Sequence, residues 1–298
     1  MNIVVTGSLG HISKPLAEEL VEKGHDVTVI SSKQERKDTI EALGTTAAIG
    51  TVEDVDFLAA AFKGADAVYT MIPPGNYTDP DLDIPAQVQQ VISNYVQAIE
   101  QSGVKRVVQL SSIGAHMEKG NGILSFYYVM EGTLNALPSD VAITFMRPVG
   151  FYYNLYGFIN TIKTQGVIAT NYGGDNKKPW VSPIDIAAAV AEEIENPKPA
   201  TRKVRYVASE EISANEIAHI LGAAISKPDL KWVVIPDEQL LKGMIDAGVN
   251  PQIAKGLVEM NASIQNEALF EDYYRNWPTL GKVKMADFAK DFAVVYNQ

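Results

Sequence analysis

Short apolar, β-branched runs alternate with segments of helical periodicity through the first half of the chain. The first run, Ile3 to Val5, leads through a glycine turn into a helical pattern from Pro15 to Lys23. Further strands are predicted at positions 25–30, 46–50, 65–75, 105–112 and 141–148, with helical patterns between them. Five such alternations with short turns predict an α/β fold, a doubly wound parallel sheet with helices on both faces. A ligand would then lie beyond the carboxyl ends of the strands.

The second half of the chain is less regular. A returning strand is predicted at 203–209, and the chain is helical and amphipathic from Pro236 onward. We therefore expect residues 1–153 to form the sheet domain and residues 154–298 a smaller, mostly helical domain that closes a cleft. A segment from about 180 to 207 is expected to return to the sheet.

Three local patterns carry expectations about side chains. Ser182, Pro183 and Asp185 predict a capped helix start, with Asp185 as a capping residue rather than a catalyst. The Pro- and Asp-rich segment Asn76–Pro85 predicts an irregular and mobile flap. Four aromatic residues recur at helical spacing and predict one face of a helix: Phe270, Tyr273, Tyr274 and Trp277.

The turn after the first strand is the strongest candidate for a binding site. Gly7 and Gly10 lie between a strand and a helix in a G-x-x-G-x-x-S pattern, with Ser13 at the place of a third glycine. Missing side chains let the backbone approach a diphosphate, and the helix N-terminus offers unpaired N–H groups. The pattern therefore predicts a dinucleotide site, and the alternative is an ordinary βα turn.

The end of the second strand bears on the choice of coenzyme. NAD-binding proteins place a carboxylate there for the ribose 2′-hydroxyl, but Asp26 lies at the start of this strand. Hydroxyl and cationic residues follow the strand instead: Ser31, Ser32, Lys33 and Arg36. These residues suit a 2′-phosphate and favour NADP, with NAD as the alternative. The alternative explanation is that these residues simply form the solvent-exposed start of a helix, where lysine and arginine are common.

Composition excludes several classes of function. A net charge of −11 without a basic stripe argues against nucleic-acid binding. The absence of cysteine excludes disulfides and thiol chemistry, and the four scattered histidines, which lack ligand spacing, argue against a metal site. No apolar run reaches the roughly 18 residues of a membrane span, and no signal peptide is recognised. We expect a cytoplasmic protein that acts on a small molecule.

The tyrosines do not supply the usual catalytic pair of short-chain reductases, a Tyr with a Lys four residues later. None of the 13 tyrosines has a lysine four residues later. The residue at that position is Glu131 for Tyr127 and Gly157 for Tyr153. Ser111 or Ser112 could polarise a carbonyl. Hydride transfer to an electrophile such as a quinone needs no dedicated acid, so an oxidoreductase remains possible. A protein that binds NADP without turnover is equally compatible.

Five segments resemble the NmrA-like family of atypical short-chain dehydrogenases/reductases, which includes NADPH-dependent quinone reductases and NADP-sensing regulators. They are VVTGSLGHIS, FLAAAFKGADAVYTMIPP, GVKRVVQLSSIGAH, ITFMRPVGFYYN and PWVSPIDIAAAVAEEI. A weaker match continues into the C-terminal region, so the likeness covers nearly the whole chain. It implies a Rossmann domain that binds NADP.

The resemblance also implies a role for individual residues. The turn would hold the diphosphate through Gly7, Leu9, Gly10, His11 and Ile12. Ser31, Ser32 and Lys33 would meet the adenosine ribose or its phosphate, and Met71, Ile72 and Pro73 would flank adenine and ribose. The nicotinamide pocket would be formed by Ser111, Ser112, Pro148, Gly150 and Phe151, with Asn154 nearby.

Three positions depart from the family pattern. Ser13 replaces the last glycine of the turn, and Ser31 stands where many relatives carry an arginine. Tyr127 stands where many relatives carry the lysine of a K-x-x-x-E pattern that ends here at Glu131.

We therefore expect an NAD(P)H-dependent reductase of a quinone-like or other electrophilic acceptor, with Tyr127, Tyr128 or Tyr153 as proton source. The alternatives are a non-catalytic redox sensor and, less favoured, a sugar-nucleotide epimerase. A homodimer or a protein partner is possible if the protein is a sensor.

Overall fold

Strands and helices alternate along the computed structural model, which describes residues 1–298. The strands are β1 (Asn2–Val5), β2 (Asp26–Ser31), β3 (Thr46–Ile49), β4 (Ala67–Thr70), β5 (Arg106–Leu110), β6 (Ala142–Pro148), β7 (Gly150–Phe151), β8 (Val167–Thr170), β9 (Lys178–Val181), β10 (Arg202–Val207), β11 (Glu210–Ile212) and β12 (Lys231–Val234).

The helices are α1 (Ser13–Glu22), α2 (Lys37–Glu41), α3 (Val55–Phe62), α4 (Ile84–Ser102), α5 (Ser125–Asn135), α6 (Ile159–Gln165), α7 (Pro183–Glu195), α8 (Ala214–Ala224), α9 (Asp237–Asp246), α10 (Pro251–Gln265), α11 (Glu271–Arg275) and α12 (Met285–Tyr296). None of them is both long and apolar enough to cross a membrane.

Seven parallel strands form the central sheet in the order β10-β6-β5-β4-β1-β2-β3. The chain therefore winds outward in one direction from β1 to β3 and in the other from β4 to β10. Between β1 and β4 the direction of winding reverses, and in doubly wound sheets this is the point at which a ligand is expected to bind. The predicted doubly wound parallel sheet is confirmed.

The two faces of the sheet are covered by different helices. Helices α3, α4 and α5 pack on one face around Phe62, Tyr95 and Leu134. Helices α1 and α7 pack on the other face around Leu16 and Val190. Burial on both faces explains why these strands are nearly continuous apolar runs.

A third core lies in the C-terminal half, where α8 packs against α12 beside two small sheets, β11-β9-β7 and β12-β8. Its centre is aromatic, and Tyr156 stacks on Phe292 with ring centroids 5.7 Å apart. Strand β10, however, pairs with β6 in the central sheet. The division at residue 153 stays a prediction.

Asp185 does not cap the helix in which it lies. The Ser182 side chain caps α7 as predicted, but its backbone N–H donates to Ser209 Oγ rather than to Asp185. The Asp185 carboxylate accepts hydrogen bonds from Ser209 Oγ at 2.5 Å and from the N–H groups of Lys282 and Val283 at 3.0 and 3.1 Å. The predicted capping role of Asp185 is therefore wrong, because the carboxylate binds a segment that arrives from about 100 residues later.

The four aromatic residues predicted on one helix face do form a cluster, with neighbouring ring centroids 5.3 to 6.2 Å apart, but no continuous helix carries them. Helix α11 is only five residues long, and Trp277 lies beyond its end. Phe270 and Tyr273 are buried, whereas Tyr274 and Trp277 are exposed. The spacing therefore predicted which side chains meet, but not the two short elements and the following loop on which they lie.

Candidate functional site

The turn after β1 needs glycine at position 7. Its φ of +88° lies in the left-handed region, and a Cβ there would come within 2.4 Å of Ser13 Oγ and 2.5 Å of Met71 Sδ. The turn is thus pressed between the start of α1 and the end of β4. Ser13 fits at the place of the third family glycine because its side chain is buried against Gly7.

The same turn leaves backbone donors unpaired. The N–H of Ser8 donates to the carbonyl of Ile30 and the N–H of Gly10 to that of Gly7, both at 3.1 Å. The N–H groups of Leu9, His11 and Ile12 donate to no protein acceptor, and no side chain caps α1. Unpaired amides at a helix N-terminus form an anion-binding site, so the turn fits a diphosphate.

A cluster of hydroxyl groups and one guanidinium lies beside the turn. Ser8 Oγ donates to Ser31 Oγ at 2.9 Å, and Arg36 Nη1 donates to Ser8 Oγ at 3.1 Å. Ser31 is buried, while Ser32 and Lys33 are exposed. The cluster brings Arg36 from the segment after β2 to the turn, where its remaining donors suit a phosphate. Ser8 was missed by sequence reasoning, and its φ of +56° is visible only in the structure.

The residues after β4 are fixed to the neighbouring strand and helix. The N–H of Met71 donates to Thr6 Oγ1 at 3.1 Å, and Tyr95 Oη donates to the carbonyl of Met71 at 2.8 Å. Met71, Ile72 and Pro73 are half-buried. The structure thus places this segment next to the glycine turn, and its predicted contact with adenine and ribose stays a prediction.

A buried ion network lies at the carboxyl ends of β5 and β6. Arg147 binds Glu131 through two hydrogen bonds, Nε to Oε1 at 2.9 Å and Nη2 to Oε2 at 2.6 Å. Its Nη1 also reaches Asp272 at 3.0 Å and the hydroxyl of Tyr206 at 3.1 Å. Burial alone would lower the pKa of Arg147, but the hydrogen bonds and charge of Glu131 outweigh burial and raise it. The network joins α5, β6 and α11.

The two serines after β5 differ in their surroundings. Ser111 is buried and donates its hydroxyl to Glu131 Oε1 at 2.5 Å. Ser112 is half-buried, and its hydroxyl makes no hydrogen bond to the protein. Ser112 is therefore the one with a free hydroxyl proton at this strand end.

Aromatic rings continue the site beyond the turn. His11 stacks on Tyr153 with centroids 4.7 Å apart, and Tyr153 stacks on Phe151 at 5.1 Å. Pro148 is buried, and Gly150 lies against the ring of Trp180. The predicted diphosphate turn and the predicted nicotinamide wall are thus in direct contact.

The three predicted proton donors are not equivalent. Burial raises the pKa of Tyr127, and burial raises that of Tyr153 to about 12. Tyr77 makes a smaller contribution to both shifts; sequence reasoning did not single it out, because it lies in the predicted flap. Tyr128 is 43% exposed and contributes to neither shift.

Tyr69 is a further residue that the sequence did not single out. Its hydroxyl is buried without a hydrogen-bond partner, and burial, with smaller contributions from Tyr95, Tyr127 and Tyr153, raises its pKa. A buried donor without a partner is rare in proteins. No group of three or more histidine, aspartate or glutamate side chains is arranged to hold a metal ion.

Comparison with known proteins gives a family and several relatives. The model of the NmrA-like family matches residues 1–285. A (4-alkanoyl-5-oxo-2,5-dihydrofuran-3-yl)methyl phosphate reductase of Streptomyces griseus is 26% identical over 226 residues, which are 76% of this chain and 74% of that protein.

Two solved structures share the fold at low sequence identity. An NADPH-dependent quinone oxidoreductase from Escherichia coli, complexed with NADPH, has a TM-score of 0.81 at 17% identity. The match covers 97% of this chain and 99% of the oxidoreductase chain. A nucleoside-diphosphate-sugar epimerase from Staphylococcus aureus has a TM-score of 0.77 at 17% identity, covering 97% and 100%.

Removing the charge of Glu131 tests the buried network. We expect Glu131→Gln to lower the free energy of unfolding by about 3 kcal/mol, because Arg147 would stay buried with half of its compensation lost. The control is Asp140→Asn, which removes a carboxylate from the exposed Lys105–Asp140 pair of the same 2.6 Å length. Urea denaturation should show no measurable change for this variant. If both substitutions changed the free energy of unfolding equally, burial of the Glu131–Arg147 pair would not explain its effect.

Proposed function

The chain belongs to the NmrA-like family, and we propose that it is an NADPH-dependent reductase of a small, flat acceptor of the quinone class. The observation that carries the proposal is the turn at Gly7, with three unpaired amides at the uncapped start of α1. The similarity to a quinone oxidoreductase and to a furan-type phosphate reductase supports the reaction class.

In this proposal, each part of the coenzyme is held by residues around the turn. The amides of Leu9, His11 and Ile12 would hold the diphosphate, and Arg36 with Lys33 would hold the 2′-phosphate beside Ser8 and Ser31. Met71 to Pro73 would flank the adenosine, and Ser112 with Phe151 would line the nicotinamide side. When bound, the coenzyme supplies a hydride.

The tyrosines around the acceptor position serve as hydrogen-bond donors rather than acids. No lysine contributes to the pKa of Tyr127 or Tyr153, and burial raises both values. A phenol with a raised pKa stays protonated at neutral pH and gives up its proton poorly. It can still donate a hydrogen bond to an acceptor oxygen. A quinone suits such a site, because one hydride converts it to a hydroquinone anion that water protonates.

The same argument weighs against an epimerase. Oxidation of a sugar hydroxyl needs a base, and the lysine that would lower a tyrosine pKa is missing from this site. A coenzyme-binding sensor needs the turn but no proton donor. If the protein binds NADPH but shows no turnover, that result would support the sensor function.

A Gly7→Ala substitution tests the coenzyme site. We expect at least tenfold weaker NADPH binding in a fluorescence titration, because the new Cβ would displace Ser13 or Met71 and open the turn. Gly24→Ala is the matched control, since Gly24 has a similar φ of +82° with open space around it. That variant should bind NADPH like the wild type. Wild-type protein that binds neither NADPH nor NADH would refute the proposed function.

Replacing Arg36 tests the choice of coenzyme. Arg36→Ala should weaken NADPH binding about tenfold and leave NADH binding unchanged, because only NADPH carries the 2′-phosphate. Lys37→Ala, which removes the next cation in the chain, should alter neither affinity. If Arg36→Ala weakens both coenzymes equally, Arg36 stabilises the turn and does not select NADP.

Replacing the tyrosines distinguishes hydrogen bonding from acid catalysis. We expect Tyr127→Phe and Tyr153→Phe to lower kcat/KM for menadione by less than about tenfold, whereas loss of a general acid costs 10²–10⁴-fold. Because the raised pKa values keep both phenols protonated, the wild-type rate should show no tyrosine ionisation between pH 6 and 9. A loss of kcat/KM above a hundredfold would show that these tyrosines do act as proton donors.

A further inference from the structure

Ser8 combines a buried position with a left-handed backbone. Its φ is +56°, and the two other residues besides glycine that have a positive φ, Ser226 and Glu267, are exposed. A side chain at such a φ is strained, because its Cβ crowds the following carbonyl oxygen, and glycine would relieve that strain. On backbone grounds alone, a second glycine after Gly7 would therefore suit the turn better than serine. A strained residue of this kind points to a role for its side chain.

The backbone and the side chain of Ser8 both join the glycine turn to the end of β2. The N–H of Ser8 donates to the carbonyl of Ile30 at 3.1 Å. Ser8 Oγ donates to Ser31 Oγ at 2.9 Å, and Ser31 Oγ also accepts from the N–H of Lys33 at 3.2 Å. The hydroxyl of Ser8 is therefore held in place by the end of the neighbouring strand.

Arg36 is positioned by the same hydroxyl. Its Nη1 donates to Ser8 Oγ at 3.1 Å, and this is the only hydrogen bond that the arginine side chain makes to the protein. Arg36 forms no ion pair, whereas the next cation along the chain, Lys37, lies 3.9 Å from the carboxylate of Glu41. Ser8 is thus the one hydrogen-bonding group that fixes the guanidinium beside the turn.

The groups that this contact leaves free are donors. A guanidinium has N–H groups and no acceptor, and all of the side-chain N–H groups of Arg36 except the one on Ser8 lack a protein partner. A positive group with several free donors suits an anion with several oxygens, and a phosphate has this chemistry. The 2′-hydroxyl of NADH offers one neutral oxygen at the corresponding position, so the same group gains less from it.

From this geometry we propose that Ser8 is a positioning residue, which holds Arg36 for the 2′-phosphate and thereby sets the preference for NADPH over NADH. The inference rests on the proposed function, because it takes the bound anion to be the 2′-phosphate of NADPH. Ser8 acts through Arg36 and needs no contact of its own with the coenzyme. An arginine that is already held beside the turn loses less side-chain freedom when the phosphate binds, which strengthens the contact.

A Ser8→Gly substitution separates the hydroxyl from the turn. Glycine is favoured at this φ, so the backbone keeps its conformation while the side-chain contacts to Ser31 and Arg36 are lost. We expect the ratio of the dissociation constants of NADH and NADPH, measured by fluorescence titration, to fall at least fivefold. Ser8→Ala, which loses only the hydroxyl, should lower the ratio equally. A role in the turn alone would make glycine as good as serine at this position.

Ser226→Gly is the matched control for the backbone. Ser226 has a φ of +57°, and its exposed side chain makes no hydrogen bond. This variant relieves the same strain far from the turn and should keep the wild-type ratio. An unchanged ratio in Ser8→Gly and Ser8→Ala, including equal weakening of both coenzymes, would overturn the positioning role.

A double variant shows whether Ser8 acts through Arg36. Adding Ser8→Gly to Arg36→Ala should change the ratio of the two dissociation constants by less than twofold, because the guanidinium that Ser8 positions is already gone. A larger fall in this background would overturn the inference, since Ser8 would then act independently of Arg36.

The inference and the proposed function fail in different experiments. Adenosine 2′,5′-bisphosphate carries the 2′-phosphate without the nicotinamide, and calorimetry should show at least fivefold weaker binding of this probe to Ser8→Gly than to the wild type. Equal binding to both proteins would overturn the role of Ser8 and leave the reductase proposal standing. Absence of quinone reduction by wild-type protein that binds NADPH would refute the reductase and leave the role of Ser8 standing.

Discussion

The geometry of the site depends on one close approach, that of the Gly7 backbone to Ser13 and Met71. Because no side chain separates them, the end of β1, the start of α1 and the segment after β4 meet within a few ångströms. Parallel pairing brings the strand ends to one edge of the sheet, and the left-handed turn brings the helix N-terminus to the same point. Arg36, Tyr153 and the residues after β4 are all positioned relative to this turn.

Two kinds of polar chemistry lie on either side of the turn. On the side of β2, the half-buried guanidinium of Arg36 lies against the buried hydroxyls of Ser8 and Ser31. The other end has buried phenols and an internally compensated ion network. Glu131 and Asp272 neutralise Arg147, and Glu131 also accepts a hydrogen bond from Ser111, so the charges at this end are engaged within the protein. What remains there for a ligand is aromatic surface with neutral donors.

The sequence predicted those features that depend on neighbours along the chain. The strands, the helix starts and the glycine turn follow from local periodicity and backbone sterics, and for this reason the sheet and the turn were found. The conformation of the segment predicted as a flap could not be derived from its own residues, because Asn250, which donates to the carbonyl of Asp79, lies 171 positions away. Asp185 has cap-like spacing, but its partners arrive from the C-terminal segment. The Glu131–Arg147–Asp272 network combines three elements, and no periodicity marks such a contact.

The late arrival of β10 has a consequence for synthesis of the chain. Strand β6 is an apolar run with buried Ile143, Phe145 and Met146, and one of its edges stays unpaired until residues 202–207 leave the ribosome. An open apolar edge can pair with another nascent chain. Strand β10, by contrast, carries Arg202, Lys203 and Arg205, cations that disfavour further pairing at the finished border. A nascent chain interrupted between these two strands would therefore be the form most prone to aggregate.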